Sequence, residues 1–333
     1  MNPSLQRFIA ILIFLLILLP NASSAGAPLK KYRAAFTAFA YANPPFWIAK
    51  DLKVFEKYGL DVELIYVGGA RNMQALVGGS IEFSQAGGAS VVAAAAQGAE
   101  VVILGTVFKR LIFGVHAAPQ IKEIGDLKGK SIAAGTVGGN SYFAGQLFLA
   151  KAGLVANKDV NFRALGGTPE VLGALQHGQV QAGVLSPPST NIAVRLGYRQ
   201  LFDIASLDLP FPTISVASTR RFAQENPETI LNVLRATAEA IFIYKTQPEL
   251  TLPVVAKYMR VPKDDPALRE SWETYGKQLD HNLRTSLEGI KFILDFLADQ
   301  RLTVKSKNPA DFVDSRFVSK LEEEGFFKRL ATK

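Results

Sequence analysis

The sequence predicts an α/β fold organised as two lobes. A strand–loop–helix–strand unit is readable in residues 31–69, where the hydrophobic period changes from strand-like to helical and back. A second observation is an internal echo: the spacing Ala-Leu-x-x-Gly-x-Ile that starts at Ala75 returns at Ala174 with Val as its last residue, and each copy follows a glycine-rich loop. Length is the third observation, because 333 residues are more than one hydrophobic core usually supports.

The first unit also predicts where a ligand would bind. Residues 32–39 are apolar and β-compatible, and residues 40–45 interrupt them with two prolines that push the preceding chain away from the α region. Residues 46–58 have apolar side chains at helical spacing, with Gly59 as the terminating glycine, and residues 60–67 alternate as a strand. Two strands joined by a helix are expected to be parallel neighbours with a right-handed crossover. Such sheets bind small ligands at the carboxyl ends of their strands.

The remaining chain continues the alternation and is predicted to cross between the lobes twice. One crossing strand is expected at residues 112–117 and a return strand at 213–217. The helices predicted between residues 227 and 297 are assigned to the first lobe, because the chain has returned there. This places the first lobe at residues 26–115 and 215–333, and the second at 116–214.

The start of the chain has the features of an export signal. Arg7 gives a positive n-region, residues 8–19 form an apolar run of twelve residues, and Ser23-Ser24-Ala25 suits a small-residue cleavage site. The run is shorter than the ~20 residues of a spanning helix, although an uncleaved anchor is the alternative. Residues 1–25 are therefore a predicted signal peptide of a periplasmic protein. The absence of cysteine excludes a cysteine-linked lipid anchor, disulfides and thiol catalysis.

Charge and motif content narrow the function classes. The formal charge of +8 fits anionic ligands or an anionic envelope, and equally a solvated basic surface. Lysines and arginines are dispersed without a basic aromatic cluster, which argues against nucleic acid. His116, His177 and His281 are scattered, so no metal site and no cofactor are predicted. Ser186 lacks the G-x-S-x-G context of a hydrolase, and the glycines from Gly135 lack the G-K-[ST] of a Walker loop.

Several stretches carry a family resemblance. Phe-Glu-Lys-Tyr-Gly-Leu-Asp-Val-Glu at residues 55–63, the following Gly-Gly, and Ala-Leu-Val-Gly-Gly-Ser-Ile-Glu at residues 75–82 resemble solute-binding proteins of bacterial ABC importers. The branch is the nitrate/sulfonate/taurine type, which shares its domain with thiamine-pyrimidine synthases, and the likeness runs from Tyr32 to Phe317. It implies a periplasmic-binding-protein type II fold, with mixed sheets flanked by helices and two crossing strands. It further implies a monomeric receptor that closes on a small organic ligand and delivers it to permease and ATPase subunits. Glu82 and Gln181 stand where the family usually has Asp, so the resemblance does not specify the ligand.

The leading functional candidate is the loop 135–139, which leaves a strand and opens a helix with Asn140 or Ser141 as its N-cap. Glycines let the backbone approach a ligand, and helix N–H groups favour an anion or a carbonyl-rich group. The alternative is that the polar residues only cap the helix. Residues 40–45 and 85–88 are expected to face this loop from the first lobe, with aromatic side chains lining the walls. The predicted ligand-binding residues are Tyr41, Asn43, Pro44, Gly69, Gln85, Gly87, Gly88, Thr136, Gly138, Gly139, Asn140, Ser141, Ser186 and Phe211.

Two other functions fit the same fold. One is an enzyme like the thiamine-pyrimidine synthases, which depend on a cysteine-rich motif and a histidine; the lack of cysteine counts against it. The other is a ligand sensor that signals to a membrane kinase; such a sensor closes its two lobes on a ligand in the same way as a transport receptor. The leading hypothesis is a non-enzymatic receptor in which ligand binding shifts an open–closed equilibrium.

Overall fold

Two five-stranded mixed sheets form the frame of the computed structural model, which describes residues 29–299, 306 and 308–332. The predicted signal peptide, residues 1–25, lies outside the described residues. The strands are β1 (Lys30–Phe36), β2 (Leu60–Tyr66), β3 (Phe83–Ala86), β4 (Val101–Arg110), β5 (Gly114–Ala117), β6 (Ser131–Ala134), β7 (Asn161–Ala164), β8 (Ala182–Leu185), β9 (Arg199–Asp203) and β10 (Pro210–Thr219).

The two sheets have the same internal plan. Sheet A has the order β2-β1-β3-β10-β4, and sheet B has the order β7-β6-β8-β5-β9. In each sheet the first three strands are parallel, the fourth is antiparallel to its neighbours, and the fifth pairs antiparallel with the fourth. The two parallel triplets contain the echoed segments, so the repeated spacing in the sequence corresponds to the same supersecondary unit used in each sheet.

The α-helices that connect these strands are α1 (Pro45–Asp51), α2 (Val54–Lys57), α3 (Ala70–Val77), α4 (Gly88–Ala96), α5 (Asn140–Lys151), α6 (Thr168–Gln176) and α7 (Ser189–Arg195). After β10 follow α8 (Arg220–Glu225), α9 (Pro227–Thr246), α10 (Pro248–Met259), α11 (Pro266–Thr274), α12 (Leu287–Asp299), α13 (Arg316–Glu323) and α14 (Phe326–Ala331). Helix α9 packs on α1 and α2, and α12 packs on β10 and α4. The later helices therefore lie largely against the elements of sheet A.

The continuous helix predicted at residues 46–58 is wrong in one detail, because the structure has the two short helices α1 and α2 there. Lys53 separates them with a left-handed φ of 56°. The apolar side chains keep their helical spacing on both sides, so the hydrophobic pattern hides this break. Phe46, Trp47 and Phe55 are fully buried, which explains why the pattern is strong.

The chain passes between the sheets twice, once within and once before the two segments predicted to cross. The first passage lies at residues 111–113, where Leu111, Ile112 and Phe113 are buried between β4 and β5. The second lies at residues 204–209, before β10. Residues 112–113 of the first predicted segment lie in the passage itself; the rest of that segment belongs to β5, and the predicted return strand, 213–217, belongs to β10. Strands β5 and β10 pair antiparallel with their neighbours in sheets B and A. Their antiparallel pairing satisfies the backbone groups that a bare connecting strand would leave open.

One buried apolar cluster extends through both sheets and the passages between them. A smaller cluster lies in sheet B, where residues of α6 pack against β8 and its neighbours. Among the described residues, no helix combines the length and the apolar character that crossing a membrane requires.

Candidate functional site

A cavity of about 460 Å³ lies between the two sheets. Its walls are the loops that follow the carboxyl ends of β1, β2 and β3 in sheet A and of β6, β7 and β8 in sheet B. These are the parallel strands of each sheet, so the cavity lies at the edge where parallel α/β sheets bind ligands. The plan of the two sheets brings both sets of loops face to face.

Helix N-termini surround the cavity. Gly69 is the N-cap of α3 and Gly87 that of α4, while Gly139 and Gly167 are the N-caps of α5 and α6; all four line the cavity. The first N–H groups of each helix lack partners within the helix, and the helix dipoles add partial positive charge at these ends. Because both sheets contribute, the backbone itself makes the cavity favourable for an anionic group.

The start of α5 shows how its loop is held. The Gly139 N–H donates to the Thr136 carbonyl oxygen at 3.0 Å, and the Gly135 N–H donates to Ser141 Oγ at 2.9 Å. Gly138 adopts a left-handed φ of 77°. The expectation that Asn140 or Ser141 caps this helix is wrong: the N-cap is Gly139, and no side chain caps it. Asn140 and Ser141 instead lie in the first turn, and both line the cavity.

The opposite wall is fixed by a buried amide network. Gln85, at the end of β3, donates from Nε2 to the Asn43 carbonyl oxygen at 2.8 Å and to Asn43 Oδ1. Its Oε1 accepts from the Phe46 N–H at 3.1 Å, and Asn43 Nδ2 donates to the Ala38 carbonyl oxygen at 2.6 Å. These bonds tie the loop between β1 and α1 to sheet A. Gln85 is fully buried and therefore positions Asn43 from behind the cavity wall.

The two walls touch directly. Ser90 Oγ in α4 donates to the Gly138 carbonyl oxygen at 2.6 Å, and Asn140 Nδ2 donates to the carbonyl oxygen of Thr213 in β10. A Cβ built on Gly69 would lie 2.2 Å from Thr136 Oγ1. These contacts join sheet A elements to sheet B elements, so the two walls of the cavity are in direct contact at its margin.

Two charged residues line the cavity, one from each wall. Arg71 lies in the first turn of α3, and Glu170 lies in the first turn of α6, where a carboxylate oxygen accepts from the Gly167 N–H at 2.9 Å. Tyr66, at the end of β2, lines the cavity with them. Burial is the main cause that raises the pKa of the Tyr66 hydroxyl; the charge of Glu170 raises this pKa further and that of Arg71 lowers it. The Tyr66 hydroxyl therefore remains neutral at physiological pH.

Asn140 offers a further polar group. Its Oδ1 is buried and accepts no hydrogen bond from the described residues, although its Nδ2 is used in the contact to Thr213. A buried acceptor without a partner is costly, and a donor on a ligand would satisfy it. Among the described residues, no group of three or more His, Cys, Asp or Glu side chains is arranged to hold a metal ion.

The structure divides the predicted site residues into two groups. The residues that line the cavity are Asn43, Gly69, Gly87, Thr136, Gly139, Asn140, Ser141 and Ser186. Those that do not line it are Tyr41, Pro44, Gln85, Gly88, Gly138 and Phe211. Contact of the first group with a ligand remains a prediction.

Most of the second group is buried behind the wall, whereas Gly138 is partly exposed. Tyr41 is 1% exposed, and burial raises its pKa to about 12. Phe211 is fully buried, with its ring centroid 5.0 Å from that of Phe143. Gly88 lies against Pro212, where a Cβ would lie 2.2 Å from the carbonyl oxygen. The aromatic rings of Tyr41 and Phe211, which were expected to line the cavity, therefore pack in the core.

Sequence reasoning missed the larger side chains of the cavity. These are Thr37, Phe39, Tyr66, Arg71, Ser90, Thr168, Glu170 and Thr213. Most of them stand at the last residue of a parallel strand, in the loop after it or in the first turn of the next helix. Extending the search from the glycines to the neighbouring positions of each strand–helix junction would have found them.

Comparison with known proteins identifies the family. Residues 43–250 match the family model described as NMT1/THI5 like. The chain belongs to the NMT1/THI5-like family. A protein of Brucella abortus (strain 2308), named only as a binding protein, is 28% identical over 275 residues, which cover 79% of this chain and 83% of the relative.

Solved structures share the fold of this NMT1/THI5-like chain. A protein of Bordetella bronchiseptica RB50 has a TM-score of 0.76 at 23% identity, covering 89% of this chain and 98% of that one. The alkanesulfonate-binding protein SsuA of Xanthomonas axonopodis pv. citri has a TM-score of 0.71 at 22% identity, with 87% and 100% covered. The periplasmic nitrate-binding protein NrtA of Synechocystis PCC 6803 also has 0.71, at 16% identity, with 89% of each chain covered. The predicted fold, that of periplasmic binding proteins, and the family resemblance are confirmed.

Proposed function

We propose that this protein is an exported receptor that binds a small organic anion between its lobes and delivers it to the membrane subunits of an ABC importer. The observation that carries the proposal is the ring of helix N-termini around the cavity, contributed by both sheets. An anionic group placed between α5 on one side and α3 and α4 on the other would interact with three positive helix ends, whereas the Gly167 N–H at the start of α6 already donates to the Glu170 carboxylate. The names of the relatives, which include binding proteins for sulfonates and nitrate, agree with this ligand class.

Closure follows from how the ligand would bridge the walls. In the open form the N–H groups of the two lobes face water separately, whereas in the closed form they converge on one ligand. Ligand binding therefore favours the closed form by the difference in affinity between the two states. The passages at residues 111–113 and 204–209 are the segments about which the lobes would rotate. The importer would recognise the closed form.

The side chains of the cavity favour binding over reaction. Glu170 is the carboxylate among the cavity-lining residues, and those residues include no histidine, lysine or cysteine. Ser186 Oγ lies 3.5 Å from Thr168 Oγ1, which is a hydroxyl and not a general base. A nucleophile needs a base within hydrogen-bond reach to be activated. The lining thus supports a receptor that is not an enzyme.

The first experiment identifies the bound class of molecule. The full chain is expressed with its own N-terminus, and the periplasmic fraction is analysed by native mass spectrometry and N-terminal sequencing. We expect a protein that begins near Gly26 and carries a small anion that is released on denaturation. Retention of the full-length chain in the membrane fraction would contradict the export step, and a co-purified neutral or cationic molecule would contradict the ligand class.

The second experiment tests the location of the site. Gly139→Val places a branched side chain at the N-cap of α5, where even a Cβ would lie 3.1 Å from the Thr136 carbonyl oxygen. Gly173→Val is the matched control, because a Cβ at Gly173 meets no atom within 4 Å. Calorimetric titration with the released anion should show a loss of affinity of at least about tenfold, about 1.4 kcal/mol, for Gly139→Val only. Equal affinity of both variants, with both folded, would place the site elsewhere.

A further inference from the structure

An aromatic shelf forms part of the sheet A wall of the cavity. The shelf consists of Phe39 and Tyr66, whose ring centroids are 4.7 Å apart at an interplanar angle of 35°. Both residues line the cavity, and Tyr66, the last residue of the edge strand β2, is 47% exposed. An exposed aromatic pair inside a binding cleft leaves apolar surface uncovered, which a ligand could bury.

The shelf is rigid because it continues into the core. Phe36 lies 5.2 Å from Phe39 and 5.6 Å from Tyr66, measured between ring centroids. Behind it, Trp47 lies 5.4 Å from Phe36 and stacks on Tyr258 at 5.0 Å with an interplanar angle of 2°. The column of rings fixes the orientation of the shelf before any ligand binds, so little side-chain freedom is lost on binding.

A glycine sets the position of the outer ring. A Cβ built on Gly68 would lie 2.9 Å from the Tyr66 hydroxyl oxygen. A side chain at residue 68 would press on the tyrosine hydroxyl, and the ring would shift from its present place along the cavity wall. The shelf thus depends on Gly68 as well as on its two rings.

We propose that the ligand carries a planar ring that stacks on Phe39 and Tyr66, with its acidic group held at the first turn of α5 on the opposite wall, where the helix has no acidic residue of its own. This inference rests on the proposed function and narrows its ligand class to aromatic organic anions. The two recognition features lie on different lobes, so a molecule that has both groups bridges the cleft. An alkyl anion would satisfy only the acidic subsite and bury the shelf without a ring contact.

The ring contact predicts how much more tightly an aromatic anion should bind than an aliphatic one. Ring pairs contribute beyond the area they bury, which corresponds to roughly a 2- to 10-fold gain in affinity over an aliphatic group of equal size. Benzenesulfonate and cyclohexanesulfonate are suitable probes, because they share the charge and the carbon count and differ in planarity. Each is titrated calorimetrically into the full mature protein.

Four variants distinguish the loss of the ring contact from a general loss of stability. Tyr66→Leu removes the outer ring and Tyr66→Phe retains it. Gly68→Ala displaces the ring without changing it. Tyr198→Leu is the control, since Tyr198 is a partly buried tyrosine that does not line the cavity. We expect benzenesulfonate to bind 2- to 10-fold more tightly in the wild type, in Tyr66→Phe and in Tyr198→Leu. We expect the preference to disappear in Tyr66→Leu and to shrink in Gly68→Ala.

The outcomes also separate this inference from the proposed function. Equal binding of the two probes, or an undiminished preference in Tyr66→Leu, overturns the stacking site but leaves an anion receptor in place if Gly139→Val still abolishes binding. No measurable binding of either sulfonate to the folded wild type counts against both proposals.

Discussion

Gly69 is the position where the structure makes closure most sensitive to a single methyl group. It adopts φ 60° and ψ −144°, and it meets Thr136 across the cleft. In Gly69→Ala the new Cβ would lie 2.2 Å from Thr136 Oγ1, 2.6 Å from its Cβ and 2.9 Å from its Cγ2. The lobes would have to separate by roughly 1 Å to restore an ordinary contact of ~3.5 Å between these atoms.

Two free-energy terms result, and they affect different measurements. The backbone strain of a non-glycine residue in this conformation is of the order of 1–3 kcal/mol and lowers the free energy of unfolding in both the open and the closed form. The clash occurs only in the closed form, where separation would break the bonds from Ser90 to Gly138 and from Asn140 to Thr213. At about 0.5–1.5 kcal/mol for each bond, the closed form loses about 1–3 kcal/mol, which corresponds to a 5- to 150-fold weaker affinity.

The assay is calorimetric titration with the released anion, run beside thermal unfolding. Gly59→Ala is the matched control, because Gly59 also has a positive φ, of 78°, and a Cβ there meets nothing within 4 Å. Both variants should be less stable than the wild type, and only Gly69→Ala should bind more weakly. In a Thr136→Gly background the Gly69→Ala substitution should lose most of its effect on affinity. If Gly69→Ala and Gly59→Ala bind the anion equally well, the closure argument is refuted.

Three further predictions concern other groups. Asn140→Ala should weaken anion binding about 5- to 100-fold, since it removes the donor to Thr213 and an amide at the cavity; unchanged affinity in calorimetry would contradict that role. Glu239→Gln should lower the free energy of unfolding by about 1–3 kcal/mol in urea titrations, because Glu239 is 8% exposed and accepts from Lys57 at 2.5 Å. The affinity for the anion should be unaffected. A variant as stable as the wild type would show that the ion pair of Lys57 and Glu239 does not stabilise the fold. Burial lowers the pKa of His116 below its value in the unfolded chain, so the contribution of the neutral histidine to stability is complete above pH ~6.5 and decreases as the pH falls below it. His116→Gln should therefore flatten the pH dependence of the free energy of unfolding between pH 7.5 and 5. An unaltered slope would assign that dependence to other groups.

The alternation of strands and helices could be predicted from the sequence because each element has a clear hydrophobic period. Residues 60–67 alternate with the period of a strand, and β2 lies there. The residues before them have the helical period, and α1 lies there. The break at Lys53 could not be predicted, because a left-handed residue between two helical turns leaves the apolar spacing intact. The first passage overlaps the predicted crossing segment at residues 112–113. The second, at residues 204–209, precedes the predicted return strand, because its exposed Ser206 and Asp208 give it the pattern of an ordinary surface loop.

The candidate site was predictable where it is made of backbone. Gly69, Gly87 and Gly139 follow strand ends in the sequence, and each lines the cavity. Tyr66 and Glu170 were missed because the search was centred on glycines and capping residues; both stand at strand–helix junctions, but nothing in the local sequence distinguishes them from the other residues there. Side-chain sites of this kind depend on contacts between distant segments, which the local period of a sequence does not encode.

The position of the passages explains how a ligand can control closure. Ile112 and Phe113 belong to the first passage, Thr213 and Ile214 follow the second, and all four line the cavity. Thr213 Oγ1 donates to the carbonyl oxygen of Arg110, which ties β10 to the end of β4, and the Thr213 carbonyl oxygen accepts from Asn140 on the other lobe. A ligand in the cavity would therefore lie against the first passage and against the part of β10 that follows the second. Because the bond from Asn140 to Thr213 lies shortly after the second passage, we expect it to restrict the bending of that passage and so to couple occupancy to lobe position.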